Sequence, residues 1–190
     1  MFPLNLPNAL TLVRILLVPV VVVALTVEMP YGSTIAAVVF AIAALTDGLD
    51  GYIARSQKSI TNFGKVMDPI ADKLMIAAAL ISLVSLERVA AWVAMVIIAR
   101  EFAVSGLRIA AGQQGVVIPA SGLGKLKTIV QVVAVLALIA APDPTDAWVQ
   151  ALVYLMVLIT LASGADYFLN FRRRIEEAGR KRSSAARPQP

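Results

Sequence analysis

Six stretches of roughly 20 mostly apolar residues, the length a membrane-spanning helix requires, recur along the chain at 8–27, 33–54, 64–86, 89–111, 121–141 and 147–171. The connectors between them, "EMPYG", "SQKSITNF", "ER", "GQQGVVIP" and "PDPTD", carry helix breakers or charge. With 59% hydrophobic and 15% charged residues in 190, against about 25% charged in soluble domains, the chain predicts an all-α membrane protein of six transmembrane helices. Its mean hydropathy of +0.81 agrees. A signal peptide is a poorer reading of the first stretch, because Arg14 interrupts the apolar run and no small-x-small cleavage site follows. No internal repeat is evident. Residues 1–171 read as one six-helix transmembrane domain, and 172–190, "RRRIEEAGRKRSSAARPQP", as a basic, mobile cytoplasmic tail suited to anionic headgroups.

Positive charge marks cytoplasmic connectors. Of 17 Lys and Arg residues, Arg88 alone falls in a connector after the first, third or fifth stretch, whereas Arg55, Lys58, Lys65, Arg108, Lys125, Lys127 and the tail cluster on the other side. Both termini are therefore expected in the cytoplasm, with a polar cavity facing it. Trp92, Trp148 and Tyr154 fit interface anchors or packing groups.

Four carboxylates then stand out, Asp47, Asp50, Asp68 and Asp72, inside the second and third stretches. Asp47 lies eight residues before Arg55, Asp72 eight after Gly64, and Arg100 eight before Arg108, so each reaches a depth of about 12 Å. Asp47 and Asp50 share one helical stripe and Asp68 and Asp72, spaced i and i+4, share another. Two adjacent antiparallel helices could aim all four at one point. Gathered carboxylates repel one another unless cations neutralise them, and charge within a membrane helix is costly enough to mark function. The chain has no histidine and no cysteine. That excludes Ser-His triads, thiol chemistry and disulfides, leaves acid-base work mainly to carboxylates, and favours Mg²⁺ or Mn²⁺ as oxygen-ligated ions. Arg55, Lys65, Arg100, Lys125 and Lys127 beside such a cluster suit a phosphate-bearing ligand. A divalent-cation transporter, the alternative of another class, has little use for so many positive groups at its site.

The segment "DGLDGYIARSQKSITNFGKVMDPIAD" resembles the CDP-alcohol phosphotransferase signature D-x2-D-G-x2-A-R-x8-G-x3-D-x3-D at every fixed position. Within that family "NLPNALTLVRILLVP", "IIAREFAVSGLR" and "ASGLGKLKTIVQ" look most like the bacterial phosphatidylglycerophosphate synthases. The resemblance covers most of the chain before the tail. It implies phosphatidyl transfer from CDP-diacylglycerol to sn-glycerol 3-phosphate with release of CMP, in a bacterial cytoplasmic membrane. Relatives with the same signature use inositol phosphate, phosphatidylglycerol or serine. By this resemblance Asp47, Asp50 and Asp68 would hold two metal ions, with Asp72 bordering them as metal neighbour and general base. Gly51, Ala54 and Arg55 would contact the cytidine nucleotide, and Gly64 would allow close approach. Beyond the signature, Asn8, Thr11 and Arg14 could line the nucleotide end of the cavity, Asn8 equally as a cap of the first helix. The positive groups outside the signature, Arg100, Arg108, Lys125 and Lys127, could neutralise the acceptor phosphate beside the metal site. The family further implies a homodimer among membrane lipids, with no nucleic-acid partner. Two acids have simpler expectations: Glu101 an ion pair with a cation on a neighbouring helix, and Asp166 a partnership with nearby arginines at the end of the last helix.

Overall fold

A computed structural model describes residues 6–57, 62–113, 116 and 122–185, and within these the side chains of 9–46, 70–71, 73–113, 116 and 122–177. The described residues form six α-helices and no strand: α1 Leu6–Thr26, α2 Gly32–Gln57, α3 Asn62–Ser85, α4 Ala91–Gln113, α5 Gly122–Ala140 and α6 Ala147–Ala185. Their bounds follow the apolar stretches closely at every turn but the last. There α6 runs past 171 through the basic segment to Ala185, with Arg172 Nε donating to Glu176 Oε1 at 2.9 Å one turn on.

α1 packs on α2 and α3, α2 on α5, α3 on α4, and α6 on both α4 and α5. Small residues permit these approaches: Ala24, Ala36, Ala43, Ala71, Ala79 and Ala134 are all buried at helix contacts. Phe40, Leu80, Leu83, Ile97, Leu138 and Met156 fill the remaining core. Leu16, Leu45, Met95 and Leu158 point outward, as an apolar solvent allows. Trp92, Trp148 and Tyr154 are likewise exposed.

Three helices contain segments long and apolar enough to cross a bilayer, at Ala9–Thr26, Gly122–Ala140 and Ala147–Glu177. The protein is an integral membrane protein on that count. Within their described side chains, α2 and α3 carry apolar segments at Gly32–Thr46 and Lys73–Ser85. In α4 the run is broken by Arg100, Glu101 and Arg108.

The turns on the α1–α2 and α3–α4 side are tightly specified. α3 ends in a Schellman motif, with Arg88 N donating to Leu83 O at 2.9 Å, Glu87 N to Val84 O at 3.0 Å, and Glu87 at φ 57°. That geometry sends Arg88 to the last turn of α5, where its guanidinium donates to Leu138 O at 2.7 Å and to Ala141 O. A cation thus meets the negative end of the α5 dipole. In the next loop Asp143 Oδ1 accepts from the hydroxyl and the backbone N–H of Thr145, both at 2.7 Å. Those bonds, with a smaller effect from Arg88, hold its carboxyl below the ordinary range.

At the start of α2, a Cβ on Gly32 would lie 2.5 Å from the backbone oxygen of Ala24 and 3.2 Å from Met29 Cγ. Gly32→Ala is therefore expected to destabilise. Overpacking against backbone costs about 1–3 kcal/mol, which exceeds a helix-propensity gain of at most about 1 kcal/mol. A fall in the thermal midpoint of the purified variant in detergent checks this; an unchanged or higher midpoint contradicts it.

Candidate active site

Four helices converge on a cavity of about 30 Å³ lined by Arg14 of α1, Phe40, Ala43 and Ala44 of α2, Met75 and Ile76 of α3, and Thr128 and Val132 of α5. Arg14 is only 3% exposed, and Thr11, one turn earlier on α1, is equally buried. Asp47 follows Ala44 by three residues and Asp72 precedes Met75 by three, a rise of about 4.5 Å in each helix. Because α2 runs toward Gln57 and α3 away from Asn62, both displacements point to the same end of the bundle. The two aspartate-bearing turns thus follow the cavity-lining residues of their helices toward that end. The backbones of Asp47, Asp50, Gly51, Ala54 and Arg55 are helical in α2, those of Gly64, Asp68 and Asp72 in α3, and that of Asn8 in α1. The side chains at these positions lie outside the described residues.

The donors on these two turns are carboxylates alone, and the whole chain holds no imidazole or thiol. Such a set fits a hard divalent cation and suits zinc or copper poorly. Among the described residues no group of three or more potential ligands gathers.

Next to the cavity, α4, α5 and α6 share a buried ionic cluster. Lys127 immediately precedes the cavity-lining Thr128, so cluster and cavity occupy one level. Glu101 Oε1 accepts from Lys127 Nζ at 2.5 Å and from Arg100 Nη1 at 3.1 Å. Arg100 Nη2 donates to Ser163 Oγ at 2.9 Å, and Ser163 Oγ donates in turn to Thr160 O at 3.1 Å. The side chains of Lys127, Arg100 and Glu101 are only 8%, 13% and 14% exposed. Among the described residues, two cations against one carboxylate leave the cluster with net charge 2 − 1 = +1. Removing ions from water costs several kcal/mol each unless they are paired, so a second anion is favoured here.

Donors remain for such an anion. A guanidinium has five N–H groups and an ammonium three, of which Arg100 commits one to Glu101 and one to Ser163 and Lys127 one to Glu101. Arg100 Nε is buried with no partner among the described residues. The other two expected phosphate contacts lie apart from this cluster: Arg108 sits over the Tyr167 ring, 5.8 Å from its centroid, and Lys125 is exposed near the start of α5.

Glu101 makes the interhelical ion pair its position suggested. Asp166 does not pair with an arginine among the described residues; Asn170 Nδ2 donates to its Oδ1 at 3.1 Å and Oδ2 is buried without a partner. The reason is that α6 continues well beyond 171, so Asp166 is an interior helix residue rather than an end group. Sequence reasoning missed Thr160, Ser163, Gly164 and Gln131. Gln131 lies one turn beyond Lys127, and both it and Thr160 are buried with Gln131 Nε2 and Thr160 Oγ1 unpartnered among the described residues. The signal was present: buried-facing polar residues at i and i+3 or i+4 inside otherwise apolar runs, "KTIVQ" and "TLASG".

A family model described as CDP-alcohol phosphatidyltransferase matches residues 4–162 of this chain. The chain belongs to the CDP-alcohol phosphatidyltransferase family. Three bacterial relatives named CDP-diacylglycerol–glycerol-3-phosphate 3-phosphatidyltransferase align along nearly their whole length. One from Bacillus subtilis is 40% identical over 180 residues, covering 86% of this chain and 93% of the relative. One from Rickettsia felis is 37% identical over 169 residues, with the same two coverages. One from Pseudomonas fluorescens is 38% identical over 188 residues, covering 94% of this chain and 95% of the relative. This CDP-alcohol phosphatidyltransferase thus places its signature on α2 and α3 and its buried cations on α4 and α5.

Proposed function

We propose that the protein transfers the phosphatidyl group of CDP-diacylglycerol to sn-glycerol 3-phosphate, giving phosphatidylglycerophosphate and CMP at the cytoplasmic face of a bacterial membrane crossed by six helices. The observation that carries the acceptor choice is the buried Arg100–Glu101–Lys127 cluster, with its net positive charge and unused N–H donors. A phosphate-bearing acceptor complements that charge. The names of the relatives point the same way.

Asp47, Asp50, Asp68 and Asp72 would hold two Mg²⁺ or Mn²⁺ ions, which when bound neutralise phosphoryl oxygens. The residues of the chain do the rest. Asn8, Thr11, Gly51, Ala54, Arg55 and Gly64 would seat the nucleotide end of CDP-diacylglycerol, with the acyl chains left in the bilayer. Arg100 and Lys127, with Arg108 and Lys125, would hold the phosphate of the acceptor so that its primary hydroxyl meets the diacylglycerol-bearing phosphorus. Asp72 takes the hydroxyl proton as the new O–P bond forms. The bond to CMP breaks, and CMP leaves with the electron pair. A homodimer is part of this reading.

Release of CMP from CDP-diacylglycerol by purified protein tests it. Release should require both glycerol 3-phosphate and Mg²⁺ or Mn²⁺, and should stop in excess chelator. Metal flux in sealed vesicles without CMP release would instead support a cation transporter.

A further inference from the structure

Glu101 and α6 do more at the cation pair than neutralise it. Among the described residues, Glu101 Oε1 is the acceptor shared by Arg100 Nη1 and Lys127 Nζ, and it joins α4 to α5. The far arm of the Arg100 fork is fixed separately, on Ser163 of α6. Gly164 leaves room beside it: a Cβ there would lie 3.3 Å from Arg100 Cγ and 3.7 Å from its Nε, so that the arginine would have to give by a few tenths of an ångström. Ser163 and Gly164 lie just beyond the range matched by the family model, 4–162.

We propose that Glu101 and Ser163 are positioning residues for the acceptor phosphate: Glu101 ties Lys127 to Arg100 as a preformed pair, and Ser163, across the bare Gly164, sets the angle of the guanidinium. The inference rests on the reading of Arg100 and Lys127 as the acceptor-phosphate site. Two cations held within hydrogen-bond distance of one oxygen repel each other strongly where water is excluded. Remove the carboxylate charge and they separate. Their free N–H groups then no longer converge on one anion, and the preorganisation that lowers the cost of binding is lost. Among the described residues one carboxylate holds two cations and leaves donors of both uncommitted, which suits a site that takes a further anion.

The test uses the full-length protein purified in detergent, with each substrate varied in turn. Glu101→Gln keeps the shape and removes the charge; it should raise the acceptor KM by about tenfold or more while CDP-diacylglycerol KM and kcat stay within about threefold. Glu101→Asp should recover part of the loss. Ser163→Ala and Gly164→Ala, which keep every charge, should each raise acceptor KM by about threefold. Should Glu101→Gln fail to fold by gel filtration, these two variants decide by the same criterion. Unchanged acceptor KM in the folded variants, or equal losses for both substrates, overturns the proposal. Arg100→Lys and Lys127→Ala run in parallel separate two failures. If they raise acceptor KM and the Glu101 and Ser163 variants do not, only the positioning role falls; if they too leave it unchanged, the acceptor-site reading falls and this inference with it.

Discussion

Asp72→Asn is expected to abolish turnover, by at least about 10²-fold as for loss of a general base, while the variant still folds and inserts. Asparagine preserves the shape of the side chain and cannot take the hydroxyl proton. No histidine exists anywhere in the chain to replace it, and the buried acid among the described residues nearest in role, Glu101, is committed to two cations. The same reasoning makes excess chelator as damaging as the substitution, since the four aspartates of α2 and α3, if gathered as proposed, need positive counter-charge. CMP release, read beside a gel-filtration profile and thermal midpoint, separates lost chemistry from lost fold. An active Asp72→Asn variant, or full activity in chelator, contradicts the assignment.

The second large effect is expected at Arg100. Its guanidinium bridges Glu101 on one arm and Ser163 on the other, a fork that a lysine ammonium cannot reproduce. Arg100→Lys therefore keeps the charge and loses the geometry. The acceptor kcat/KM should fall by about 10- to 100-fold, equivalent to roughly 1.4–2.7 kcal/mol, with CDP-diacylglycerol binding much less affected. Plain glycerol, which brings no dianion, should not be turned over by the native protein. Steady-state kinetics with each substrate varied in turn decides the matter. Unchanged acceptor kinetics in Arg100→Lys and Lys125→Ala would move the phosphate pocket elsewhere.

Much of this molecule was legible in its residues, for reasons that can be named. Helix positions followed from apolar run length because a bilayer demands about 20 such residues, and the ends were marked by "MPYG", "ER" and "PDPTD". The aspartate spacing put Asp47 and Asp50 on one helix and Asp68 and Asp72 on the next, as α2 and α3 have them. What periodicity cannot supply is which helix lies against which. The packing of α6 on α4 is what brings Ser163 and Gly164 to Arg100, and those residues lie 63 and 64 positions away in sequence. The reach of α6 was hidden for another reason. Its extension is rich in charge rather than in apolar residues, and among its described side chains Arg172 pairs with Glu176 one turn on. Ending the helix near 171 made Asp166 look like an end group, and its partner was misjudged accordingly.

The central claim is that the buried cation pair selects a phosphate-bearing acceptor for phosphatidyl transfer. The most direct test incubates purified protein with CDP-diacylglycerol, divalent cation and, in separate reactions, glycerol 3-phosphate, glycerol, serine, inositol phosphate and phosphatidylglycerol, and identifies the lipid product of each by mass. The account predicts phosphatidylglycerophosphate and an equal amount of CMP with glycerol 3-phosphate, and no phosphatidyl product with glycerol or serine. A phosphatidyl product from an unphosphorylated alcohol, with glycerol 3-phosphate left untouched, would contradict it.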